Sequence, residues 1–195
     1  VGEKGYRQID INLGCPFPMI AGKHKGAGML LYPAQVAEVL APIAEYPEIQ
    51  FSLKMRLGWE NASECMVLVE LLNTLRLSRI ALHARTGKQQ YKGHPDLEAF
   101  QGFYELCQHP LYYNGGIESL SDIRQILTRF PLLKGVFIGR GLLSSPLLAK
   151  EFKGNETFLP EQRMSIYFAF HEELFSAYSQ VLQGETQLLV KMKTL

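Results

Sequence analysis

A cysteine stands between a glycine and a proline in Asp10-Ile11-Asn12-Leu13-Gly14-Cys15-Pro16. Gly14 allows a sharp turn and Pro16 fixes the next φ angle. The run Ile9–Leu13 reads as a short strand, so the thiol sits at a rigid strand end. Enzymes built from strand-loop-helix units place reacting groups there. The plainer reading is a structural cysteine packed as a small hydrophobe. The motif is not isolated, however. Lys54-Met55-Arg56, His83-Ala84-Arg85-Thr86, Asn114-Gly115-Gly116 and Gly139-Arg140 follow, each at an expected strand end.

Strand side chains alternate with a period of two. Ser52, Lys54 and Arg56 therefore share one face, and Phe51, Leu53 and Met55 the other. Ala81 and His83 group in the same way against Ile80 and Leu82, with Arg56 and Arg85 expected just beyond their strands. A lysine at the inner end of a buried strand is costly unless it meets an anion or a polar ligand. The paired glycines of Asn114-Gly115-Gly116 let backbone N–H groups approach an anion near a helix start. Gly139-Arg140-Gly141 repeats the turn and adds a guanidinium suited to phosphate. Lys23-His24-Lys25, just after Cys15, reads equally as a phosphate contact or a solvated basic loop.

These residues need a scaffold. Strands are expected at Ile9–Leu13, Ile49–Met55, Arg79–His83, Pro110–Asn114 and Gly135–Gly139. Helices are expected near Pro33–Ala44, Ser63–Leu75, Asp96–Cys107 and Ser119–Phe130, the first opened by Pro33 at N1. Repeated β-α order implies a parallel sheet with helices outside it. A doubly wound sheet and a TIM (β/α)₈ barrel both fit, and the barrel is favoured. Its loops after strands seven and eight commonly hold a phosphate, which would make Ile9–Leu13 strand four. The expected division is residues 1–150 as the C-terminal part of a barrel, 151–160 as a linker, and 161–195 as the start of a helical domain. In the last segment Ile166, Phe168, Phe170, Leu174, Phe175, Tyr178 and Val181 form a broad apolar face.

The 195 residues are 47% hydrophobic, enough for one well-buried core. A formal net charge of +1 gives no global basic field, so a nucleic-acid role needs a local patch. Three widely spaced cysteines, Cys15, Cys65 and Cys107, disfavour a disulfide scaffold and suit a reducing cytoplasmic setting. No metal is expected: Cys107 and His109 lack a second pair at zinc spacing, and His171-Glu172-Glu173-Leu174 has Phe175 where a zincin needs histidine. No apolar run approaches a membrane span.

In this order the motifs resemble the flavin-dependent tRNA-dihydrouridine synthases. The carrying segments are Asp10 to Pro16, Leu53-Lys54-Met55-Arg56-Leu57-Gly58-Trp59, His83-Ala84-Arg85-Thr86 with Gln90-Tyr91, Asn114-Gly115-Gly116-Ile117, and Ile138-Gly139-Arg140-Gly141. The resemblance implies an FMN-binding TIM barrel followed by a helical tRNA-binding domain, with NADPH as reductant and tRNA as substrate. It implies Cys15 as proton donor and Lys54 and His83 beside the flavin. Asn114, Gly115, Gly116, Gly139 and Arg140 would hold its phosphate. Asn12, Arg56 and Arg85 are expected to bind substrate, together with Lys23 and Lys25. A cytoplasmic monomer is expected. Two other readings stay open: an FMN-dependent barrel oxidoreductase acting on a small molecule, and a non-catalytic RNA-binding relative.

Overall fold

The computed structural model describes residues 5–193. Residues 1–4 and 194–195, the outer ends of the expected 1–150 and 161–195 segments, lie outside the described residues. Contacts divide the chain into two units, one of residues up to 117 with 121–138, the other of 118–120 with 139 onward.

The first unit carries five strands: β1 (Gln8–Leu13), β2 (Gln50–Gly58), β3 (Leu77–Thr86), β4 (Leu111–Asn114) and β5 (Gly135–Phe137). They form one parallel sheet in the order β1-β2-β3-β4-β5. This order has no reversal, and a doubly wound sheet is defined by one. Between β1 and β2 run α1 (Pro18–Ala21), a 3₁₀ turn (Gly26–Leu31), α2 (Pro33–Leu40) and a second 3₁₀ turn (Ala41–Ala44). Helices α3 (Glu64–Thr74), α4 (Leu97–Leu106) and α5 (Leu120–Arg129) follow β2, β3 and β4. The helix expected over Pro33–Ala44 changes to 3₁₀ after Leu40 because Pro42 has no N–H to continue the α ladder. In α4 the Asp96 carboxylate accepts from the Ala99 N–H at 2.9 Å, an N-cap.

The register orders the two faces. Leu13, Met55, Leu82, Tyr113 and Val136 form one continuous row across all five strands, with Ile11, Leu53, Ile80 and Leu111 beside it. This apolar face joins Phe100, Phe103 and Phe130 in the core. Phe100 meets Tyr113 and Phe130 edge-on, each at 5.0 Å between ring centres. Each such fully buried side chain contributes about 1.5–3 kcal/mol. The opposite face is polar, with rows Asp10-Ser52-Arg79 and Arg56-His83-Asn114. Two strands run longer than expected. β2 includes Arg56 and β3 includes Arg85, because Arg56 pairs with His83 and Gly58 with Thr86 across the sheet.

The second unit is helical: α6 (Arg140–Ser144), α7 (Leu148–Gly154), α8 (Pro160–Ser179) and α9 (Glu185–Met192). Of the expected linker 151–160, residues 151–154 finish α7 and Pro160 opens α8, leaving 155–159 as the connection. Glu151 in α7 is buried and pairs with Arg163 of α8. Among the described residues no helix is long and apolar enough to cross a membrane.

Candidate active site at the strand ends

Cys15 follows β1 by two residues, and its turn is held from both sides. The Asn12 side-chain oxygen accepts from the Gly14 N–H at 2.9 Å. The Gly14 carbonyl accepts from Arg56 Nε at 3.0 Å, and the Cys15 carbonyl accepts from the Ala27 N–H at 3.0 Å. Gly26 has φ 57°, and a Cβ there would come within 2.7 Å of the Cys15 oxygen and 2.9 Å of its Cβ. Glycine is therefore required behind the cysteine. The thiol itself is half-buried.

Arg56 is 1% exposed. Besides Gly14 it donates through Nη1 to the carbonyls of Thr86 at 2.9 Å and Gln90 at 2.7 Å, and its guanidinium lies 5.5 Å from the Tyr91 ring centre. It thus ties the Cys15 turn to the loop after β3. Burial lowers its pKa, as does nearby Arg85, while Tyr91 opposes them. Lys54, half-buried beside Asn12 in the register, also has a lowered pKa. Burial is the main cause and Arg56 the next, against attraction from Asp10 and Cys15. Arg85 is buried and donates through Nη2 to the Gly93 carbonyl at 3.0 Å. Three cations therefore crowd the ends of β2 and β3, a donor set that fits a group carrying anionic charge.

Gly115 and Gly116 both have positive φ, 133° and 61°. A Cβ at Gly115 would come within 3.1 Å of His83, and one at Gly116 within 3.0 Å of Pro95. Close packing on β3 and on the loop after it thus accounts for both glycines. The Asn114 amide donates to the Phe137 carbonyl at 2.8 Å, which ties β4 to β5. Gly139 and Arg140 open α6 in the second unit. Lys23 and Lys25 are exposed on the turn after α1. Between them His24 takes φ 52° and stacks on Tyr32 at 4.2 Å.

Asn12, Cys15, Lys54, Arg56, His83 and Arg85 thus meet at the C-terminal ends of consecutive parallel strands. The supporting roles of Gly26, Gly93 and Pro95 are not visible in residue type alone; for Gly26 the hint is its place eleven residues after the cysteine in a basic, glycine-rich run. A cavity of about 420 Å³ lies at the other ends of these strands, lined by Asp10, Ser52, Arg79 and Tyr112 among others. Catalytic groups on parallel β/α units stand at the C-terminal strand ends, so this cavity is not the candidate site. Among the described residues no three His, Cys, Asp or Glu side chains are grouped to hold a metal ion.

The family model described as Dihydrouridine synthase (Dus) matches residues 1–193. The chain belongs to the dihydrouridine synthase family. Among curated relatives, a tRNA-dihydrouridine synthase B of Vibrio vulnificus is 28% identical over 163 residues, 82% of this chain and 50% of the relative. A probable tRNA-dihydrouridine synthase of Rhizobium leguminosarum is 32% identical over 145 residues, 74% of this chain and 45% of the relative. A probable tRNA-dihydrouridine synthase of Rickettsia conorii is 24% identical over 184 residues, 90% and 55% respectively. The chain spans about half the length of these dihydrouridine synthase relatives.

Proposed function

We propose that this chain is part of a tRNA-dihydrouridine synthase, which reduces the C5–C6 double bond of uridines in tRNA. The observation that carries the reading is the Cys15 turn, braced by Arg56 beside Lys54 and His83 at successive strand ends. Membership of the family and the names of the relatives support it. The five strands are then strands four to eight of a (β/α)₈ barrel, and the helices from residue 161 begin a domain that helps seat tRNA.

The residues present fit FMN. Lys54 and His83 would face its ring system, and backbone N–H groups of Asn114–Gly116 would hold its phosphate. Bound FMN, once reduced by NADPH, would supply the hydride needed at C6 of the uracil. Cys15 donates its thiol proton to C5 of the uracil. The cationic charge of Lys54 favours anionic forms of a neighbouring flavin. The target base must leave its stack to reach these groups, and Asn12, Arg56, Arg85, Lys23 and Lys25 bear on its capture. The test is the full-length protein: a flavin absorbance spectrum, and dihydrouridine formed in tRNA when NADPH is supplied. Flavin present with no tRNA-dependent reoxidation would favour a small-molecule oxidoreductase.

A further inference from the structure

His83 and Arg85 lie on one strand two residues apart, and both are buried, at 5% and 4% exposure. Arg85 Nη1 is 3.2 Å from His83 Nε2. A guanidinium has five N–H donors, no acceptor, and keeps its proton in proteins. The imidazole nitrogen that faces it must therefore accept, and the ring's proton then resides on Nδ1. Arg85 is held in place, since its Nη2 donates to the Gly93 carbonyl. The turn after β4 lies close against the ring: a Cβ at Gly115 would stand 3.1 Å from His83 Cδ2 and 3.4 Å from Nε2.

The titratable and charged groups around His83 reinforce this. Arg85 is on its own strand, and Arg56 is its register partner on β2. Tyr91 of the following loop has its ring centre 6.3 Å away. On β4, the Tyr113 hydroxyl lies close to Gly115, and burial pushes its pKa up to about 12, so it is neutral. The charged neighbours named on β2 and β3 are both guanidiniums, which donate hydrogen bonds and accept none from the ring.

We propose that Arg85 is a positioning residue that fixes His83 as the neutral Nδ1–H tautomer, so that His83 is not the acid of the reduction. The bearing on catalysis rests on the proposed synthase reading; the tautomer does not. The two are tested separately. In full-length, flavin-bound protein labelled with ¹⁵N-histidine, the His83 signal is assigned by its loss in His83→Asn. Its Nδ1 is expected to be protonated and its Nε2 bare, with neither shift moving between about pH 6 and 8, where a free imidazole titrates near 6.5. A proton on Nε2, or a titration of His83 in that range, overturns the proposal. In Arg85→Met the ring is expected to regain a titration in this window. Should that variant not fold, the wild-type spectrum decides alone.

The second readout is the pH profile of tRNA-dependent flavin reoxidation in His83→Asn, which keeps an N–H near Nδ1, and His83→Gln, which puts one near Nε2. His83→Asn is expected to keep the shape of the wild-type profile and to be the faster of the two. Loss of a limb of the profile in both variants would make His83 an acid and overturn the proposal. Wild-type protein that forms no dihydrouridine while His83 shows the expected tautomer would sink the synthase reading and leave the tautomer standing.

Discussion

The loops at the ends of β1 to β3 and the helices after Phe137 are built on opposite principles. In the loops, side chains bond to backbone: Arg56 alone reaches three carbonyls, and Glu64 gathers the N–H groups of Trp59, Glu60 and Asn61 at 2.7–3.0 Å. In α8 no residue is buried, and Phe168, Phe170 and Phe175 are exposed. A loop held by directional bonds fixes atoms to within tenths of an ångström, which proton transfer needs. An apolar helix face fixes nothing by itself and gains stability when covered. Substitutions in the first region should therefore alter chemistry, and those in the second should alter little inside this chain.

The largest expected effect is at Cys15. Cys15→Ala in the full-length enzyme should slow tRNA-dependent flavin reoxidation by about 10²–10⁴-fold, the usual contribution of general acid catalysis. Flavin reduction by NADPH should stay near the wild-type rate. A mutant that melts early yet reduces tRNA normally would make the thiol structural.

Gly26→Ala should come next, because it strikes the support of the same turn. The new Cβ meets Cys15 backbone at a positive φ. Overpacking of this kind costs about 1–3 kcal/mol, with roughly 1 kcal/mol more for the left-handed backbone. Urea unfolding should read that loss, and the tRNA step should slow with it. Unchanged stability would mean that the turn relaxes freely.

Cys65 offers a contrast within the same unit. Its thiol lies in α3, donates to the Ala62 carbonyl at 3.2 Å, and is pushed up to about 12 by burial. The unfolded thiol ionises near 9 and the folded one does not, so the unfolded state loses its proton first. Stability should be unaffected below pH 9 and fall above it, by up to about 1.4 kcal/mol per pH unit from this group. Melting temperatures from pH 7 to 10.5 should fall less steeply for Cys65→Ala, whose tRNA step should stay near wild type. The smallest effect belongs to the exposed helix: Phe168→Ser should move the melt by no more than about 0.5 kcal/mol. A larger loss would show that this face is covered in the full-length protein.

Alternation made the sheet legible before any coordinates. The parity that placed Ser52, Lys54 and Arg56 together, and Leu53 with Met55, is the parity of the register. The motif residues at the ends of the strands were equally plain, since Gly-Cys-Pro and Asn-Gly-Gly punctuate where strands stop. Two things were hidden. Strand ends depend on what the neighbouring strand offers, so Arg56 and Arg85 fall beyond the expected strands although both lie inside one and Arg56 pairs with His83. Bonds from side chains to distant carbonyls leave no local pattern, because a carbonyl has no residue type. The bonds from Arg56 to Gly14 and Gln90 could not be read for that reason, nor could the contact of Gly26 with Cys15.

Strand order along the sheet equals order along the chain, and every neighbouring pair is parallel. This matters while the polypeptide is being made. Each strand after β1 leaves the ribosome with a hydrogen-bonding neighbour already synthesised, so the sheet can grow by accretion from one edge. His83 on β3 is made 68 residues after Cys15, which at roughly 5–20 residues per second is some 3–14 s. For that interval the nascent chain carries the Cys15 thiol without β3 and its buried His83, and a reducing environment during synthesis keeps that thiol reduced.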